Sequence, residues 1–226
     1  MIPECEHPDP KRVVEAGYDL ICERYEKVYA AHHEAGELRE EYLALLLDRL
    51  EPGSTVLEIG SGNGVPVAQA IVGRHRVTGV DISAGQVELA RRHVPAATFV
   101  RADIMAMDFP DAAFDAVVSF YAILHIPREE HWTLLCRTHR WLRPGGWLLV
   151  NLAAGDDPGT VYPAEGGFFG VRMYFSHFTA DRNEALVRGA GFEVLRANLR
   201  EQLAWNEDGS RSREVFLWLW ATKLVA

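Results

Sequence analysis

The chain has little sulfur, no long basic run and no apolar run long enough for a membrane. Its three cysteines, Cys5, Cys22 and Cys136, are odd in number and widely spaced. They match neither a zinc spacing nor a disulfide framework, and a reducing cytoplasm suits them best. The longest apolar runs, such as WLLVNLAA and VFLWLWA, are too short to cross a bilayer. The first residues, MIPECEHPDPKR, bring acids and prolines where a secretory signal would need an apolar stretch. Basic residues neighbour one another only in pairs, Lys11-Arg12 and Arg91-Arg92, and the formal charge is -9. Such a surface repels a phosphate backbone, so neither nucleic acid nor membrane is an expected partner. Repeats and low-complexity linkers are also missing. What is present is a 226-residue chain, 48% hydrophobic, long enough for one domain with a sizeable core.

Residues 12–33 and 37–50 carry helical patterns, and Tyr42, Leu43, Leu46, Leu47 and Leu50 share one helical face. Pro52-Gly53 breaks the pattern. Beyond it, apolar runs alternate with amphipathic stretches. STVLEI, RVTGV, ATFV, FDAVVSF and WLLVNL read as strands; VPVAQAIV, SAGQVELARRHV and EEHWTLLCRTHRWL read as helices. That alternation predicts a mainly parallel sheet with helices on both faces. Ser83 and Gln86 form a capping box for the second helix, and Pro144-Gly145-Gly146 is expected to stop the third. Residues 192–205 and 214–222 read as two strands joined by a turn at Asp208-Gly209. In VFLWLWA, Phe216, Trp218 and Trp220 face one way and Val215, Leu217 and Leu219 the other. Both faces are apolar, which predicts an interior strand.

The chemistry concentrates in LEIGSGNG, residues 57–64, and in Asp81, 17 residues after Gly64. Glu58 precedes the alternating glycines Gly60, Gly62 and Gly64, with Ser61 between them. Glycines in a strand-to-helix turn let backbone approach a ligand. Asp81 closes the second strand, and Asp103 follows the third in TFVRADI. Ligands of such sheets bind at the carboxyl edge of the strands. A dinucleotide GxGxxG fingerprint is the rival reading, but its sixth position is Val65 and an acid such as Glu58 is foreign to it.

The order and spacing of these groups resemble the cofactor site of class I S-adenosylmethionine (SAM) dependent methyltransferases of the small-molecule type. The resemblance covers about residues 50–222. It implies a Rossmann-like α/β fold, a seven-stranded mostly parallel sheet of order 3-2-1-4-5-7-6, an N-terminal helical cap over residues 1–50 and a core over 51–226. It implies SAM as cofactor and S-adenosylhomocysteine as product. Asp81 would accept the ribose hydroxyls and Asp103 the adenine amino group. Ile82 would pack on one side of the ring, with Ile104 or Met105 on the other. Ser119, Phe120 and Tyr121, ending the fourth strand, would line the methionine end. Tyr18 and Tyr25 would touch the methionine carboxylate or shield the sulfonium; simple core packing of a tyrosine stripe is the other reading.

Two histidines compete as proton acceptor, His125 just past the fourth strand and His177 in MYFSHFTADRNEAL. Each has a structural alternative, a turn-orienting residue and a loop anchor respectively. His32-His33 and His131 read as helix-face residues. The segment 155–178 is long for a strand-to-helix link and rich in aromatics, so it reads as an acceptor lid. Tyr174, His177 and Phe178 of this segment, with Tyr121 at the end of the fourth strand, are the candidate acceptor contacts. The fourth strand lacks the Asn/Asp-Pro-Pro-Tyr signature for nucleobase amines. About 50 residues precede the glycine loop, so no large dimerisation domain is expected there; a small-molecule acceptor and a monomer or homodimer are the expected partners and assembly. Asp156-Asp157 is too thin a basis for a metal site. The expected activity is methyl transfer to O, N or C of a metabolite. The alternatives are a protein-directed methyltransferase, a SAM-binding protein that transfers nothing, and a nicotinamide oxidoreductase.

Overall fold

The computed structural model describes residues 8–29, 33–165, 168–205 and 211–225. Cys5, His32 and the expected turn at Asp208-Gly209 lie outside them. Helices α1 (Pro10–Tyr29) and α2 (His33–Arg49) precede strand β1 (Thr55–Ile59). There follow α3 (Val67–Ile71), β2 (Arg76–Asp81), α4 (Ala84–His93), β3 (Thr98–Arg101), β4 (Phe114–Ser119), α5 (Arg128–Trp141) and β5 (Leu142–Ala153). The chain then forms β6 (Gly155–Tyr162), β7 (Met173–Thr179), α6 (Ala180–Gly189), β8 (Phe192–Trp205) and β9 (Arg211–Lys223).

Seven strands form one sheet in the order β3-β2-β1-β4-β5-β9-β8. β1 to β5 run parallel, and β9 pairs antiparallel with both β5 and β8. This is the expected Rossmann-like order; the numbers shift because β6 and β7 intervene as a separate two-stranded ribbon. The segment 155–178 is therefore paired backbone for most of its length, where the sequence reads as a lid loop. The alternating aromatics of MYFSHF are the strand signal within it.

The alternation in β9 places its two side-chain sets in two different cores. Phe216, Trp218 and Trp220 join Tyr42, Leu43 and Leu46 of α2, and Leu50 just past it, on one sheet face. Leu217 and Leu219 join Leu134, Leu135 and Trp141 of α5 on the other. The N-terminal region thus divides. α2 is a core helix, whose Tyr42 hydroxyl donates to the Trp218 carbonyl at 3.3 Å. α1 acts as a cap, packing Val14 and Ile21 against Val171, Met173 and Tyr174 of the ribbon region.

Ser83 caps α4 as expected, its Oγ accepting the Gln86 N–H at 3.1 Å. Pro144-Gly145-Gly146 does not end α5. The helix stops at Trp141, and the three residues sit within β5, where the pairing with β4 slips between Phe114 and Ala116. The extra length is absorbed as a bulge with Gly145 at φ 77°.

Candidate functional site

The carboxyl ends of β1, β2, β3 and β4 open into one cavity of about 600 Å³, a volume suited to a small-molecule ligand. α1 and the start of α2 cover it. The walls bring together Tyr18, Tyr25, Glu58, Gly60, Ser61, Gly62, Asp81, Ile82, Asp103, Ile104, Phe120, Tyr121 and His125. These residues come from distant parts of the chain because parallel strands end at one edge of the sheet.

Gly60 has φ 70°, and a Cβ there would fall 2.1 Å from the Ala122 Cβ. Only glycine lets the first turn pass beneath the end of β4. The Asp81 carboxylate holds that turn from the side, accepting the Gly62 N–H at 2.8 Å and the Ser83 N–H at 2.9 Å. Burial raises the Asp81 pKa, against the pull of those N–H groups. Glu58 is 5% exposed, and its Oε2 has no hydrogen-bond partner among the described residues. Burial first, and then the neighbouring Asp81 charge, raise its pKa well above the ordinary carboxyl value. A buried carboxyl lacking a partner is costly unless a ligand supplies one. A cationic group in the cavity meets that need, and the ammonium group of SAM is of that kind.

Asp103 stands two residues past β3, its Oδ1 accepting the Met105 N–H at 2.9 Å. Its Oδ2 lies 2.8 Å from Lys11 Nζ, which also lies 2.7 Å from Glu130 Oε2. Burial alone would lower the Lys11 pKa, but the bonds to Asp103 and Glu130 outweigh it and raise the value. Lys11 is absent from the sequence-based site. It belongs to a stripe, Lys11, Val14, Tyr18 and Tyr25, that follows helical spacing and faces the cavity. Arg39, Asn63 and Gln86 also line the walls. Asn63 lies within the glycine motif and Gln86 in the α4 capping box, while Arg39 carries no motif and only the fold brings it in.

His125 is 8% exposed and sits between two partners. Its Nδ1 lies 2.8 Å from the Tyr174 carbonyl oxygen, which can only accept, so Nδ1 carries the proton. Nε2, 2.8 Å from the Tyr18 hydroxyl, then accepts the Tyr18 proton. Burial lowers the His125 pKa to about 4, and the ring is neutral at physiological pH.

Several expected contacts lie outside the cavity wall. Gly64 meets the hydrophobic core instead, since a Cβ there would stand 3.0 Å from the Phe99 ring. Met105 packs into the core beneath the sheet. The Ser119 hydroxyl donates to the Ile59 carbonyl at 3.0 Å, pinning β4 to β1. Tyr174 is buried against α1 and serves the site through its carbonyl. Phe178 lies beneath the Arg128 guanidinium, 4.9 Å from the ring centre. His177 does not reach the cavity either. Its Nδ1 accepts the Gly155 and Asp157 N–H groups at 3.2 and 3.3 Å, which makes it an anchor for the ribbon.

Residues 56–146 match the family described as methyltransferase domain. The chain is 33% identical to the 27-O-demethylrifamycin SV methyltransferase of Amycolatopsis mediterranei, over 82% of this chain and 75% of that one. It is 31% identical to a sterol 24-C-methyltransferase of Gibberella zeae, over 88% of this chain but only 50% of that one. Among solved structures, a SAM-dependent methyltransferase from Methanosarcina mazei superposes with a TM-score of 0.66 at 20% identity, over 80% of this chain and 98% of that one. That last likeness speaks for the fold. The glycine turn with its flanking acids, the sheet order and the relatives all converge, and the chain belongs to the class I SAM-dependent methyltransferases.

Proposed function

We propose that the chain binds SAM in this cavity and transfers its methyl group to O, N or C of a small-molecule metabolite. The buried, unpartnered Glu58 oxygen carries the reading, because it asks for a cation at the end of β1. In this arrangement Glu58 holds the ammonium group and Asp81 the ribose hydroxyls. Asp103 takes the adenine amino group, with Ile82 and Ile104 on the ring faces. SAM supplies a methyl group already activated for in-line displacement and leaves as S-adenosylhomocysteine. The protein's own tasks are alignment and the exclusion of water.

α1 performs the second task with Val14, Tyr18 and Tyr25. The acceptor lies against Phe120, Tyr121 and Ala122, beyond the end of β4. His125 meets the cavity through the Tyr18 hydroxyl, and its low proton affinity makes the Tyr18–His125 pair a positioning device more than a strong base. An acceptor that needs little help with deprotonation fits it best. The net charge of -9 and the covered cavity favour a metabolite over nucleic acid. A cytoplasmic monomer or homodimer completes the reading. Among the described residues no helix is long and apolar enough to cross a membrane.

The test is mass spectrometry of purified protein with methyl-labelled SAM and a panel of hydroxylated, amine and olefinic metabolites. A gain of one labelled methyl on a panel member is the expected result. Modification of added proteins alone would overturn the small-molecule reading. SAM binding with no transfer to any panel member would count against catalysis.

A further inference from the structure

At the β3 end of the cavity, charged side chains from three elements meet. Lys11 comes from α1, Asp103 from the turn after β3 and Glu130 from the first turn of α5. Lys11 Nζ sits between the acids, 2.8 Å from Asp103 Oδ2 and 2.7 Å from Glu130 Oε2. All three side chains are partly buried, so solvent screens the trio only in part. Asp103 is held on both oxygens. Its Oδ1 takes the Met105 N–H, and the Met105 carbonyl in turn accepts a guanidinium N–H of Arg137 at 2.6 Å. Glu130 and Arg137 stand two helical turns apart on one face of α5. One helix thus governs the Asp103 carboxylate by two routes, through Lys11 and through Met105. Lys11 and Asp103 line the cavity, and Glu130 reaches it through Lys11.

The sum of these charges decides what this end of the cavity can take. A lysine facing a single acid would make a neutral pair. Here one ammonium faces two carboxylates, which leaves one formal negative charge in excess. Such a wall attracts a group that donates hydrogen bonds and repels one that only accepts them. Adenine presents an amino group to its surroundings. Its deaminated counterpart, hypoxanthine, presents a keto oxygen at the same position. A lysine released from its second acid would offer that oxygen a donor.

We propose that Glu130 is a positioning residue for base selectivity. By holding Lys11 on the acids and adding a second negative charge, it makes the cavity refuse a keto oxygen where the adenine amino group belongs. The proposal rests on the SAM reading above, with Asp103 at that amino group. It assigns part of the discrimination to repulsion of the wrong base, beside attraction of the right one. It also gives α5 a part in recognition, although the helix contributes nothing to the glycine motif or the strand-end acids.

Calorimetry on the full chain tests it with two probes, S-adenosylhomocysteine and S-inosylhomocysteine, in which the amino group is replaced by a keto oxygen. The wild-type protein should bind S-adenosylhomocysteine about tenfold or more tightly, as expected when a hydrogen bond to a charged group gives way to repulsion. Glu130→Gln keeps the size of the side chain and removes its charge. This variant should bind S-adenosylhomocysteine within about threefold of wild type, which also shows that it is folded. It should bind S-inosylhomocysteine about threefold or more tightly than wild type does. Glu130→Asp, which keeps the charge, should keep most of the preference. An unchanged ratio in Glu130→Gln, or equal weakening of both ligands, would reduce Glu130 to a tie between α1 and α5 and overturn the proposal. Equal binding of the two ligands by the wild-type protein would overturn it as well. A wild-type protein that binds neither would remove the SAM reading, and the proposal with it.

Discussion

The Glu58 carboxyl answers to two opposed demands. Burial and Asp81 favour its neutral form, and a bound cation favours its charged one. Binding of SAM should therefore release a proton from Glu58. Affinity should rise with pH until the raised pKa is passed and then level off. Calorimetry in two buffers of different ionisation heat measures the proton count directly, and a pH-independent affinity would remove Glu58 from the ammonium site. The same shift acts on the unliganded fold. A carboxyl whose folded pKa is raised contributes stability that is complete below the unfolded pKa and lost as pH rises through the folded one. Glu58→Gln should accordingly raise the melting temperature of the free protein at neutral pH, with the gain vanishing in acid. Asp81 was legible from its position at a strand end; its grip on the Gly62 N–H was not, since that needs the turn's geometry. Asp81→Asn can satisfy only one of the two N–H groups that the carboxylate holds. It should lower S-adenosylhomocysteine affinity about tenfold or more, with a small fall in melting temperature.

Among the elements, the ribbon β6–β7 was the hardest to read. The glycine turn and the strand ends announce themselves by spacing, because each side chain acts where its own strand stops. The ribbon gives a weaker signal, since Asp156 to Gly159 look like an ordinary loop and the pairing slips between Asp157 and Thr160. His177 falls in that paired region and so anchors backbone, whereas the sequence placed it in a lid. His125, beside the fourth strand, was legible as a neighbour of the site. Its two partners were not, because Tyr18 and Tyr174 come from elements 107 and 49 residues away. The junction they form has a pH signature. With its pKa lowered to about 4, His125 binds fewer protons folded than unfolded between that value and its ordinary 6.5. Stability should therefore climb as pH rises through that window and fall as acid charges the ring. Melting curves from pH 4 to 7 should show this slope, and His125→Asn should flatten it. An unchanged slope in the variant would place the acid sensitivity elsewhere.

Over the whole molecule, the order of strands was legible because apolar runs alternate with helices and because β9 is apolar on both faces. The division of the N-terminal region was not. Tyr42 and its neighbours read as one apolar helix face, and nothing local says that this face meets Trp218 in the sheet core. Trp218 is fully buried between α2 and β4 residues, with Phe120 5.2 Å away, ring to ring. Trp218→Ala should cost about 3–5 kcal/mol in a denaturant titration. Because Phe120 and Tyr121 rest on that ring, the loss should also loosen the β4 end of the cavity. The central claim, a SAM site at the carboxyl edge of β1 to β4, is tested most directly by titrating S-adenosylhomocysteine and NADH separately into the purified chain. One-to-one binding of S-adenosylhomocysteine with little or no heat from NADH is the predicted result. NADH binding as tight or tighter, or no S-adenosylhomocysteine binding at all, would contradict it.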